Sequence, residues 1–363
     1  MSLALQPQPM LTRQTRIDYL DIAKGIGILL VVMGHNDFSL ISPFFFKLIY
    51  SFHMPLFFFM SGIFFKSDLS FLTLLRRRFD SVLRPYIFII LLIFFATLSF
   101  TKVDFVHATS RLIKALYGNG HYLDWVQLWF LPHLFVVSLF AFLFFKLVRQ
   151  TRLPWLKWAL LVAAQVVGVL SISAFWPFTL NFFGRQLTVF GLPFSLDLVF
   201  ISGFFFILGC ELFKKFPVTL FQKPQMLLLL GLLLSAIVWF FPPTIDFNIR
   251  QFDALFLNTL EALLGIAFTL SLALQIERMA RLAAIFKYIG RASLIILLFQ
   301  VPIQAFWSDK VLALTGNFPS AYWIGFLAGV LGPLAINALF IQPNPVVGKW
   351  FGQKMYATAP ASD

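Results

Sequence analysis

Ten apolar runs, each close to the length of a membrane-spanning helix, constrain this chain more than any other feature. They lie near 17–37, 43–65, 85–101, 127–148, 155–175, 193–213, 225–241, 254–275, 290–308 and 320–341. A hydrocarbon core of about 30 Å takes about 20 residues of helix. The runs are continuous rather than alternating, which excludes the strands of a transmembrane barrel. Composition agrees with that reading. Of 363 residues, 60% are hydrophobic, 49 are Phe and only 12% are charged, about half the ~25% of a soluble domain. A water-soluble fold has no way to hide so much apolar surface. The expected fold class is all-α: a polytopic membrane bundle of about ten transmembrane helices.

Basic residues set the orientation, because Lys and Arg collect in cytoplasmic loops. With the N-terminus in the cytoplasm, the first inside segment holds Arg13 and Arg16. The next hold Lys66, Arg76, Arg77, Arg78 and Arg84, then Lys146, Arg149, Arg152 and Lys157, and the last holds Lys349 and Lys354. The outside loops hold only Lys102, Arg111, Lys114, Arg185, Arg250 and Lys310. Ten spans with both termini inside satisfy this alternation. The same clustering turns the net charge of +13 away from nucleic acid and towards anionic membrane lipid. Residues 1–16 and 342–363 read as cytoplasmic tails around a membrane domain over 17–341. No cleavable signal peptide, internal repeat or appended soluble domain is expected. Cys210 is the one cysteine, so no intrachain disulfide forms.

Ionisable side chains inside a membrane helix are costly, and so are candidates for function. The first run carries Lys24 and His35, eleven residues apart. At 100° per residue they differ by about 20° after three full turns, so both share one face, roughly 16 Å apart along the axis. A His suits general-base work on a hydroxyl; its other reading is a hydrogen-bonded interhelical residue. Lys24 either snorkels to the interface or offers a cation to a ligand. Gly25, Gly27, Gly34 and the Ser61-Gly62 pair read as close-packing positions. In the second run Pro55 frees a backbone carbonyl near residue 51. His53 beside it either satisfies backbone or lines a cavity with His35. Arg76, Arg77, Arg78 and Arg84 fit the positive-inside pattern, and Arg forks also suit phosphate. Trp129 reads as an interfacial anchor or a sugar-stacking ring, and Asp197 as a helix cap or an orienting carboxylate. Glu211 and Glu261 are expected near interfaces or paired with basic groups. The 102–126 loop, with Asn119, His121 and Tyr122, reads as a surface loop or a substrate entrance. No His, Cys or Glu arrangement has metal-ligand spacing, so no catalytic metal is expected.

Several ordered motifs resemble the acyltransferase-3 family of integral membrane acyltransferases. RIDYLDIAKGIGILLVVMGH, from Arg16 to His35, is similar to the family's opening motif, with Lys24 and His35 at its basic and His positions. SFHMPLFFFMSGIFF from Ser51, RRRFDSVLRPY from Arg76, LWFLPHLF from Leu128 and PFSLDLVFISGFFFILG from Pro193 are similar to further blocks. The resemblance runs from about 16 to 308. Its wording, with Ile-Ala-Lys-Gly-Ile and Phe-His-Met-Pro, is most like the fucose 4-O-acetylase-like subgroup.

The resemblance implies transfer of an acyl group, usually acetyl from acetyl-CoA, to a hydroxyl of a glycan or lipid-linked sugar in the bacterial inner membrane. Acetyl-CoA is then a co-substrate, with no bound cofactor. His35 is implied as the base, Arg78 and Arg84 join Lys24 as phosphate ligands, and Trp129 and Asp197 face the acceptor. Lys24 stands in place of the more usual Arg, which keeps the charge and loses the bidentate fork. Gln300 stands where many relatives carry a His; it can hydrogen-bond a substrate but cannot shuttle protons. The alternative is an exporter of a polysaccharide or its lipid-linked precursor, since broken helices and intramembrane charge suit both.

Overall fold

The computed structural model describes residues 17–151, 153–182, 184–241 and 245–352. Arg13, Arg16, Arg152 and Lys354, assigned above to inside segments, lie outside the described residues. Each of the ten apolar runs is helical. In chain order the helices are α1 (Asp18–Gly34), α2 (Pro43–Ile63), α3 (Phe71–Phe100), α4 (Phe105–Tyr117), α5 (Val126–Arg149) and α6 (Pro154–Phe175). There follow α7 (Pro193–Lys215), α8 (Pro224–Phe240), α9 (Leu255–Glu277), α10 (Ala280–Arg291), α11 (Ser293–Thr315), α12 (Phe318–Ile341) and α13 (Pro345–Trp350). Eight of these are long and apolar enough to cross a membrane. The other two expected spans, α1 and α8, have 17 residues each, about 25 Å of helix and the short end of the spanning range. The protein is an all-α, multi-pass membrane bundle.

Backbone contact between helices is set by glycine. A Cβ at Gly25 would overlap the carbonyl of Phe286, and one at Gly290 the carbonyl of Asp21, so α1 and α10 cross backbone on backbone. Gly62 and Gly209 do the same for α2 and α7, against the carbonyls of Phe206 and Phe59. Small residues are what allow such approach where water provides no hydrophobic drive between helices. The acids at the start of α1 complete the first crossing. Asp18 takes Lys287 at 2.8 Å and Asp21 takes Arg291 at 3.2 Å.

Elements between the apolar runs are less regular than a set of loops. α4 fills much of the 102–126 segment, capped by the Asp104 carboxylate on the His107 N–H at 2.8 Å and ended by Gly118 at φ +68°. It packs antiparallel to α3, where the Tyr86 hydroxyl donates to the Ala115 carbonyl. α10 is amphipathic: Leu282, Ile285 and Tyr288 are exposed on one side, as suits a helix lying in the interface. Two short antiparallel hairpins fill later loops. β1 (Phe178–Phe182) pairs with β2 (Arg185–Val189), and β3 (Ile245–Asp246) with β4 (Gln251–Phe252). The segment read as a tail after 341 contains α13, which sets Phe351 against Phe88 at 5.3 Å.

Candidate active site

A cavity of about 410 Å³ opens among α1, α2, α3, α5, the β3–β4 hairpin and α11. Its lining includes Lys24, His35, His53, Arg78 and Trp129, five of the eight residues singled out from sequence. Two cations gather at one end. Lys24 Nζ sits 4.5 Å from the centre of the Phe64 ring, and the Arg78 guanidinium 5.7 Å from that of the adjacent Phe65. Such ring faces attract a cation without neutralising it. Lys24 also meets Asp21 at 3.4 Å; Arg78 is half-buried and has no carboxylate partner among the described residues. From Lys24 the cavity follows α1 for eleven residues to His35. From Phe64 it follows α2 back for eleven residues to His53. Each path is about 16 Å of helical rise. The cavity thus has a cationic end and an imidazole end.

Both imidazoles are held the same way. His35 Nδ1 lies 2.5 Å from the Val31 carbonyl, and His53 Nδ1 lies 2.9 Å from the Ile49 carbonyl. A carbonyl only accepts, so Nδ1 carries the proton in each ring and Nε2 keeps the lone pair. That is the tautomer a general base needs. His35 stands just past the end of α1, and the next two residues, Asn36 and Asp37, turn the chain at φ +60° and +61°. Asn and Asp are the non-glycine residues that tolerate this left-handed geometry best. Asn36 Nδ2 then donates to Ser308 Oγ at 2.5 Å, which pins the turn to α11. His53 begins the second half of α2 after a break at Ser51–Phe52, where Pro55 removes a helical donor. The Tyr50 ring meets His53 edge-on at 4.8 Å.

A family model described as an acyltransferase domain, that of the acyltransferase-3 family, matches residues 17–338. The chain belongs to this family. No curated protein and no solved structure matches it. Every element lining the cavity of this acyltransferase falls inside the matched residues.

The remaining singled-out residues lie elsewhere. Arg84 is not on the cavity lining; it pairs with Asp80 and donates to the Lys349 carbonyl at 3.3 Å. Asp197 is wholly buried in an ion pair, its Oδ2 2.8 Å from Arg250 Nε and its Oδ1 3.2 Å from Arg250 Nη2. Gln300 is buried and not on the cavity lining, both amide atoms without a partner among the described residues. Trp129, on the lining itself, has its ring 5.4 Å from that of His133 behind it in α5. His133 itself is structural: Nδ1 donates to Phe194 O at 3.0 Å and Nε2 lies 2.8 Å from Ser202 Oγ. Glu211 pairs with Lys157. Glu261 departs from expectation: it is fully buried in α9 and forms no ion pair with a basic group among the described residues.

Three lining residues had no sequence signal of their own: Gln127, Asp246 and Asn248. The last two ride on the β3–β4 hairpin. Arg250, two residues on, clamps it by its bonds to Asp197, to Asn119 Oδ1 at 3.4 Å and to the Asn248 carbonyl at 3.0 Å. Burial pushes the Asp246 carboxyl above the usual carboxylate range. The N–H groups of Asn248 and Ile249 and the charge of Arg250 pull the other way.

Proposed function

We propose that this acyltransferase moves an acyl group, acetyl from acetyl-CoA, onto a hydroxyl of a glycan or lipid-linked sugar at the bacterial inner membrane. One observation carries the reading: a single cavity joins two cations at one end to two imidazoles with free Nε2 atoms at the other. The phosphates of CoA meet Lys24 and Arg78 at the cytoplasmic end, and the thioester extends towards His35. His35 Nε2 takes the acceptor's hydroxyl proton as the oxygen attacks the thioester carbon. The C–S bond breaks, and the CoA thiolate takes the proton back from the imidazolium. The products are the ester and CoA-SH. General-base action of this kind contributes about 10²–10⁴-fold, and holding both substrates in one cavity adds to it. His53, its Nε2 equally free, supplies a second hydrogen-bond acceptor for another donor group of the incoming substrate. Arg84, already engaged by Asp80, is left out of the donor site.

Thiol release from acetyl-CoA by the purified full-length protein in nanodiscs tests this. The wild type is expected to release CoA slowly as its acetyl group passes to water, and His35→Ala at a rate lower by about 10²-fold or more. Lys24→Glu is expected to weaken acetyl-CoA binding. Equal binding by wild type and Lys24→Glu removes the proposed donor site. Neither binding nor turnover in well-folded protein transfers the assignment to an exporter.

A further inference from the structure

The imidazole end of the cavity carries a carboxylate that the reaction above does not use. Asp246 lines the cavity with His35. Its Oδ1 accepts from the N–H groups of Asn248 at 2.9 Å and Ile249 at 3.4 Å, while Oδ2 takes no hydrogen bond among the described residues. The hairpin that presents it is fixed by the buried Arg250–Asp197 pair, so the carboxylate is held in place rather than trailing in a loop. Carboxylate oxygens only accept, so a ligand that meets Asp246 Oδ2 must bring a donor. A carboxylate here also repels CoA's phosphates and leaves them to Lys24 and Arg78 at the opposite end.

We propose that Asp246 positions the acceptor, its Oδ2 accepting a hydrogen bond from a hydroxyl adjacent to the one that reacts at His35. The acceptor is therefore a vicinal diol of a polyhydroxylated ring rather than an isolated alcohol. This rests on the acetyl-transfer reading and deepens it. Asp246 takes no proton in the step; the reacting proton passes from the hydroxyl to His35 Nε2 and on to the thiolate.

The test uses full-length protein in nanodiscs, acetyl-CoA, and two probes, trans-1,2-cyclohexanediol and cyclohexanol, with ester formation followed by mass spectrometry. Wild type is expected to favour the diol by at least about tenfold in kcat/KM, the scale of one hydrogen bond to a charged group. Asp246→Asn is expected to lose most of that preference, chiefly through KM for the diol, and Asp246→Glu to recover part of it. Because a ratio is read, a general loss of folded or donor-bound protein cancels. Should the Asn variant not fold, the wild-type preference and the Glu variant carry the test. Wild type that cleaves acetyl-CoA without preferring the diol overturns the proposal, as does an Asn variant that keeps the wild-type preference. Faster acylation of cyclohexylamine, lost in Asp246→Asn, makes the carboxylate an ammonium site and overturns it too. Wild type that does not bind acetyl-CoA removes the acetyl-transfer reading itself, a result distinct from all of these.

Discussion

At the scale of single residues, the two ends of the cavity differ in how visible they were. Lys24 and His35 share one helix and one face, so their eleven-residue spacing is readable from sequence by helical geometry alone. Asp246 and Asn248 sit in a short hairpin with no period to betray them, and Arg250 registered only as a charge in an outside loop. For Asp197 the sequence offers a helix cap or an orienting carboxylate but not its ion pair, because the partner lies 53 residues further on, beyond any local pattern. The raised Asp246 carboxyl gives a pH prediction. Between the ordinary carboxyl value and the raised folded value, the folded state holds more protons than the unfolded one. Stability therefore falls as pH rises through that window. Acceptor binding runs the opposite way, because only the carboxylate accepts fully. Acidification through the raised value is expected to increase the acceptor KM, and Asp246→Asn to abolish that acid limb. A KM–pH profile with a diol acceptor checks both; an identical limb in the variant would assign it to another group.

At the scale of elements, the apolar runs were legible because each carries its own membrane-length signal. α4 and α10 were not, since their mixed polar and apolar faces dilute any hydropathy average. Gly62 and Gly209 were partly legible. Ser61-Gly62 read as a packing site, but its partner on α7 required the fold. Gly62→Leu is expected to force α2 off α7 at a cost of about 1–3 kcal/mol or more, seen as a lower Tm in detergent. The same change at Gly316, where a Cβ meets open space but φ is +61°, costs backbone strain and not packing. The Asp197–Arg250 clamp makes a separate prediction. Asp197→Leu alone leaves a buried guanidinium uncompensated and is expected to destabilise by about 3–5 kcal/mol. Adding Arg250→Met should recover much of that loss. A double mutant no more stable than the single one would show that Arg250 is not the group left unpaired.

At the scale of the whole molecule, the alternation of basic and non-basic loops makes a directional prediction. Cysteines placed at exposed Arg281 and exposed His107 should react with an impermeant maleimide from opposite sides of sealed vesicles, Arg281→Cys from the cytoplasmic side. Buried Cys210 needs no replacement if its background labelling is low. Reaction of both from one side would undo the ten-span topology. The glycine crossings carry a further consequence. α1 is keyed to α10, and its terminal turn to α11, while α2 is keyed to α7. Where α1 meets α2 at Gly27, the contact is made by the side chains of Leu56 and Phe57. α9 packs against both α1 and α2, so the two keyed crossings share one frame, and that frame sets the spacing of His35 and His53 across the cavity.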